Sequence, residues 1–184
     1  IHERLVGSEM CIRDRFGASD SKHTTQTKNM DYINGSLYLS GMMKGGFAPY
    51  GEEEARIASK STPLNGFVIK CDASNGEWLG GVSADEQGIG GYFGVAKGKE
   101  NNLYAYGYSW ATPNKGICLT TIDESSWEKT EKIALITETG MGTAWSCLAD
   151  GTNFYSFSRG NKAVNFYNSE FTLPAPTGWG MFIS

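Results

Sequence analysis

Apolar and polar residues alternate with a period of two along most of this chain, and the alternation restarts after turn residues. Three segments carry the pattern: Asn34-Gly35-Ser36-Leu37-Tyr38-Leu39-Ser40-Gly41, Asn101-Asn102-Leu103-Tyr104-Ala105-Tyr106-Gly107 and Asp150-Gly151-Thr152-Asn153-Phe154-Tyr155-Ser156-Phe157. Each is a turn of Asn, Asp or Gly followed by an alternating strand, which predicts a hairpin. The Leu-Tyr or Phe-Tyr pairs start at 37, 103 and 154, so the periods are 66 and then 51.

A second element recurs downstream. Gly66-Phe67-Val68-Ile69-Lys70-Cys71-Asp72 leads to Asn75-Gly76-Glu77-Trp78, and Gly116 to Asp123 leads to Ser126-Trp127-Glu128. Gly178-Trp179-Gly180-Met181-Phe182-Ile183 begins the same element near the end. A third element, Tyr92 to Ala96 and Thr143 to Leu148, lies upstream of the two later turns. Four strands in fixed order with a period near 50 predict an all-β fold, a partial β-propeller of about three four-stranded antiparallel blades. The blades span about 22–85, 86–137 and 138–184, and the first carries an insert near 42–65 between its second and third strands. A generic β-sandwich is the competing reading, and the fixed order of the repeated elements argues against it.

Composition agrees: 24 glycines and 12% aromatic residues suit short strands joined by tight turns. The formal charge is −4 with no Lys/Arg-rich run, so the electrostatic footprint of a nucleic-acid binder is missing. Glu52-Glu53-Glu54 reads as a solvated loop or short helical turn rather than a site. No run approaches the ~18 apolar residues of a membrane span.

Residues 1–15 share no pattern with the rest. From Glu3 to Arg15 they resemble a translated sequencing-adapter string that contaminates reading frames from environmental DNA. They are taken as a non-native leader, and the incomplete propeller as 16–184. That removes His2 and Cys11 from consideration and leaves three cysteines, Cys71, Cys118 and Cys147, which read as buried thiols.

The combination Asn34-Gly35-Ser36-Leu37-Tyr38-Leu39-Ser40-Gly41, then Gly66 to Asp72 and Asn75-Gly76-Glu77-Trp78, resembles the bacterial β-propeller repeat known as SBBP. The likeness is good over 34–80, weaker over 101–128 and partial over 151–184. It implies an exported or cell-surface protein with no family catalytic residue to carry over. About three blades are fewer than the four to eight that close a ring, so the chain reads as a fragment with open blade edges suited to self-association.

Candidate chemistry is sparse. The four cysteine positions, spaced by 60, 47 and 29 residues, match neither a zinc pattern nor a CxxC motif, so no metal or cofactor is expected. Asp72 to Glu77 lacks the alternating ligands of a calcium loop and reads as a turn, with Asp72 bonding the backbone and Gly76 at positive φ. The same stretch has the Asp, Gly and Trp of a sialidase Asp-box without its spacing, and only Arg56 and Arg159 remain for a carboxylate-binding cluster. Asp85, Glu86, Glu138 and Asp150 are not paired as glycoside hydrolysis requires, and His23 has no partners for a triad. No catalytic residue is assigned. Trp78, Trp127 and Trp145 sit in repeat elements and are expected between blades, while Trp179 begins the last one. Trp110, in the Tyr108-to-Pro113 loop, is the one weak candidate for a ligand contact. The expected function is therefore a non-catalytic binding or scaffold module whose partner is protein or glycan. The alternative is a piece of a propeller glycosidase or lyase whose active residues lie elsewhere.

Overall fold

The computed structural model describes residues 16–18, 24–49, 56–58, 64–84, 89–109, 116–136, 142–150, 153–165, 172–174, 177–178 and 180–183. The leader 1–15 lies outside them, as does the Glu52-Glu53-Glu54 run. The described chain is all-β, built from antiparallel sheets in a propeller-like succession that does not close. It contains no helix long and apolar enough to cross a membrane, which leaves strand-built spans unaddressed.

Blade 1 comprises β2 (Thr24–Ile33), β3 (Ser36–Lys44), β6 (Asn65–Asp72) and β7 (Trp78–Ser83), paired in that order. Its insert between the second and third strands is a ribbon of β4 (Gly46–Pro49) and β5 (Ile57–Ala58), and β4 also pairs with β1 (Phe16–Ala18). Blade 2 comprises β8 (Ile89–Lys97), β9 (Asn102–Ser109), β10 (Gly116–Asp123) and β11 (Lys129–Ile136). Blade 3 contributes β12 (Gly142–Ala149), β13 (Phe154–Gly160) and β16 (Gly180–Ile183). Between β13 and β16 it sends out a second ribbon, β14 (Val164–Asn165) and β15 (Thr172–Leu173), which pairs with β11 and widens blade 2 to six strands. Sequence reading expected four strands per blade. Blade 2 exceeds that because two strands encoded within blade 3 reach back to its open outer edge, and an outer edge is where unpaired N–H and C=O groups await partners.

Alternation decides which residues meet between blades. In β6, Gly66, Val68 and Lys70 face blade 2, while Phe67, Ile69 and Cys71 face away. The core between blades 1 and 2 joins Tyr38 and Val68 to Tyr92, Val95, Leu103, Ala105, Cys118 and Ile122. Burying a side chain of this size fully is worth roughly 1.5–3 kcal/mol. Gly66 is needed there, because a Cβ would stand 2.8 Å from the Tyr92 ring. Behind blade 1 a second core forms under the ribbon, with Met43, Phe47, Ile57, Phe67 and Ile69 buried together and the Phe47 and Phe67 rings 5.2 Å apart.

Blade 3 packs on the far side of blade 2. Phe154 meets Tyr104 and Tyr106 edge-on at 5.4 and 5.8 Å. The Tyr106 hydroxyl bonds the Ser158 hydroxyl, and burial pushes the Tyr106 pKa up to about 12. The repeated pair shares one register: Leu103 and Phe154 face the preceding blade, and Tyr38 and Tyr104 face the following one.

Candidate functional site

The turns after β6 and β10 are the same device built twice. The Asp72 N–H donates to Glu77 O at 2.9 Å and Gly76 N–H to Asp72 O at 2.8 Å; Asp123 with Glu128, and Trp127 with Asp123, repeat both bonds at 2.9 and 2.7 Å. Each Asp side chain accepts from the serine two residues on, Ser74 at 2.7 Å and Ser125 at 2.8 Å from the backbone N–H. The serine bonds, side chain first, hold both carboxyls below their ordinary pKa. Asp72 therefore caps a turn, and Gly76 takes a φ of 76°. Among the described residues no group of three His, Cys, Asp or Glu is placed to hold a metal.

The turn at 123–128 delivers Glu124 into the seam between blades. Its side chain is 8% exposed, 3.0 Å from Lys70 of blade 1 and in an ion pair with Lys97 of its own blade. The Tyr38 hydroxyl of blade 1 donates to the same carboxylate. Burial first, and then repulsion from Lys70, lower the Lys97 pKa, while Asp123 acts the other way. Blade 1 has Ala73 at the position of Glu124, so one member of a repeated turn has become an inter-blade clasp.

A second clasp joins the first strands of the blades. Asp31 Oδ2 accepts from the Val95 N–H at 3.1 Å and from the Asn29 amide at 2.8 Å. Burial raises the Asp31 pKa, and the two hydrogen bonds oppose the rise. Beside it the C-terminal ends of β2, β8 and β12 converge on an open groove of about 270 Å³, lined by residues 31–33, 95–97 and 147–149. Burial, followed by the Asp31 charge, pushes the Cys147 thiol up to about 12. The groove offers the Asp31 carboxylate, the Lys97 ammonium, the Tyr32 hydroxyl and the Cys147 thiol among apolar side chains, a mixed set suited to binding a polar ligand.

The residues singled out from sequence do not gather here. Trp110 lies outside the described residues, as do His2, His23, Asp85, Glu86, Glu138 and Trp179. Asp150 closes its own hairpin, accepting from the Asn153 N–H at 2.8 Å and the Tyr155 hydroxyl at 3.2 Å. Arg56 lies over the Trp78 ring at 5.7 Å in the blade 1 ribbon, whereas Arg159 belongs to β13 of blade 3, so the two do not form a cluster. Trp78 was expected between blades; it packs instead on Phe47, 6.0 Å away in its own blade's insert. Trp127 does lie between blades, against Gly80 of β7, where any side chain would collide with the indole. Trp145 lies in β12, and its side chain is outside the described residues.

Sequence reading missed Glu124, Asp31, Lys70 and Lys97. The available signal was a lysine or aspartate on the inward-facing register of a strand, which calls for an opposite charge across the seam.

These features define the class: an all-β protein of repeated antiparallel sheets joined face to face. The sequence matches no family model and no curated protein.

Proposed function

We propose that the chain is a non-catalytic binding or scaffold module of a larger exported bacterial β-propeller protein with SBBP-type repeats. The observation that carries this reading is the use of charge. Glu124, Lys70, Lys97 and Asp31 are paired at the seams between blades, and the groove where three strand ends meet combines the already engaged Asp31 and Lys97 with Tyr32 and apolar walls. Such a surface suits binding. The ligand class is protein or glycan, engaged at that groove. Buried thiols at Cys71 and Cys118 and a suppressed one at Cys147 tolerate an oxidising compartment without needing disulfides.

A soluble-glycan microarray probed with the protein and with Ala149→Arg, which fills the groove, tests the proposal. Binding that the variant loses, with no release of reducing ends from the bound sugar, supports it. Release of reducing ends would overturn it in favour of a carbohydrate-active enzyme.

A further inference from the structure

The seam between blades 1 and 2 and the seam between blades 2 and 3 are built on one register and differ in charge. Across blade 1, Asp31 of β2 is opposite Tyr38 of β3, which in turn is opposite Lys70 of β6. Across blade 2 the same row is Ala96, Tyr104 and Thr121. By strand alternation each row faces the following blade. From the other side of each seam Lys97 and Ala149 correspond, since they are opposite the first residue of the repeated pair, Leu103 or Phe154. The later seam therefore holds Ala96, Thr121 and Ala149 where the earlier one holds Asp31, Lys70 and Lys97. It closes instead on the rings of Tyr104, Tyr106 and Phe154. Packing one blade on the next does not require the charged set. Asp31 and Lys97 line the groove, and Lys70 does not.

We propose, resting on the reading of the groove as a binding site, that its ligand is a neutral sugar, with one hydroxyl donating to Asp31 and another oxygen accepting from Lys97. Both side chains keep capacity after their seam contacts. The Asn29 amide and the Val95 N–H both donate to Asp31 Oδ2, which leaves Oδ1 to accept from a ligand. The Lys97 ammonium carries more N–H donors than its ion pair with Glu124 uses.

A hydroxyl suits this pair because it donates and accepts with no charge of its own. A carboxylate drawn to Lys97 would meet Asp31, and an ammonium drawn to Asp31 would meet Lys97; like charges brought together on binding are penalised. Ile33, Val95, Ala96 and Ala149 add apolar wall for the C–H face of a ring. The groove, at about 270 Å³, falls just short of the roughly 300–1,000 Å³ of sites for drug-sized ligands, a scale that fits a terminal sugar better than a long chain. A peptide adding as a strand is disfavoured. It would need the N–H groups along the open edge of β8, where the Val95 N–H is already held by Asp31.

An array of neutral, uronate-terminated and glucosamine-terminated oligosaccharides, followed by calorimetric titration of the strongest neutral binder, tests the inference. Neutral sugars should bind. Asp31→Asn and Lys97→Met should each weaken binding about ten- to a hundredfold, the range for hydrogen bonds to charged groups. Lys70→Met disturbs the same seam from outside the groove and should bind as the wild type does. Far-UV circular dichroism and the urea midpoint check that each variant is folded, and if Asp31→Asn does not fold, Lys97→Met decides alone. A preference for uronates or for glucosamine overturns the inference. So does neutral binding that Ala149→Arg abolishes but Asp31→Asn and Lys97→Met leave intact, or an equal loss from Lys70→Met. Each of these outcomes leaves the groove a binding site. Absence of binding to any glycan overturns the inference too, and binding in a peptide library would then leave the broader reading in place. Release of reducing ends sinks the non-catalytic reading alone, and the two groove variants still decide the inference through affinity.

Discussion

Trp127 stands in its turn where Gly76 stands one blade earlier, and both carry a left-handed backbone, with φ of 58° and 76°. A β-carbon in that region costs of order 1 kcal/mol or more, so a large aromatic there is held by its surroundings. The holding contact is the indole against Gly80. Trp127→Gly should relieve the backbone but forfeit more in packing, lowering stability by about 1–3 kcal/mol. Gly80→Ala should cost a comparable amount through the clash. Urea denaturation of the double variant should show a loss well below the sum, because the alanine then has nothing to strike.

The Glu124 clasp predicts a second result. Glu124→Gln leaves Lys70 and Lys97 facing each other across a seam without their counter-charge. A stability loss of about 2 kcal/mol is expected, between the values for exposed and fully buried pairs. Replacing Lys70 by Met in the same chain should recover part of it. Chemical denaturation of the single and double variants reads both effects.

Asp31 supplies a pH signature. Its carboxyl is raised above the ordinary value of 3.8 by burial, so the folded chain binds its proton more tightly than the unfolded one. Its contribution is fully present below the unfolded pKa and is lost as pH rises through the folded pKa. The stability of the wild type minus that of Asp31→Asn should therefore fall as pH climbs from about 4, and level off above the folded pKa. Asp72 and Asp123 work in the opposite sense, since their lowered pKa values give stability that disappears on acidification.

The thiols give a kinetic test. Cys147, with a pKa raised from 9.0 to about 12, should react with a thiol reagent at pH 8 about a thousandfold more slowly than an ordinary cysteine. Cys71 and Cys118 are buried and should stay unmodified until the protein unfolds. Counting modified thiols by mass, with and without denaturant, decides it.

Much of the fold was legible because strand alternation and turn chemistry are local. Asn34-Gly35 carries positive φ at both residues, as a two-residue hairpin turn requires, and Gly76 does the same after β6. The insert after β3 was legible from repeat length alone. What the sequence did not disclose are partnerships across blades. Trp78 and Trp127 look like one repeated position, six and four residues past comparable strand ends, yet the matched hydrogen bonds pair Trp127 with Gly76 and send the two indoles to different neighbours. Glu124 looks like any acid in a polar turn. Its role follows from Lys70, 54 positions earlier, and a pairing over that separation has no local signature. The reach-back of β14 onto β11 is hidden for the same reason, since each ribbon strand is two residues long.

That reach-back also sets an order of events during synthesis. Ile136 emerges from the ribosome about 28 residues ahead of Val164, its partner. In that interval blade 2 can assemble its four strands, but the last of them has a bare flank that only later chain can cover. Translation of roughly 28 residues takes about 1.5–6 s at cellular rates, far longer than a hairpin needs to form. Blade 2 is thus a nascent sheet waiting on its successor, and a pause or truncation between 136 and 164 would leave that flank available to whatever chain is nearest.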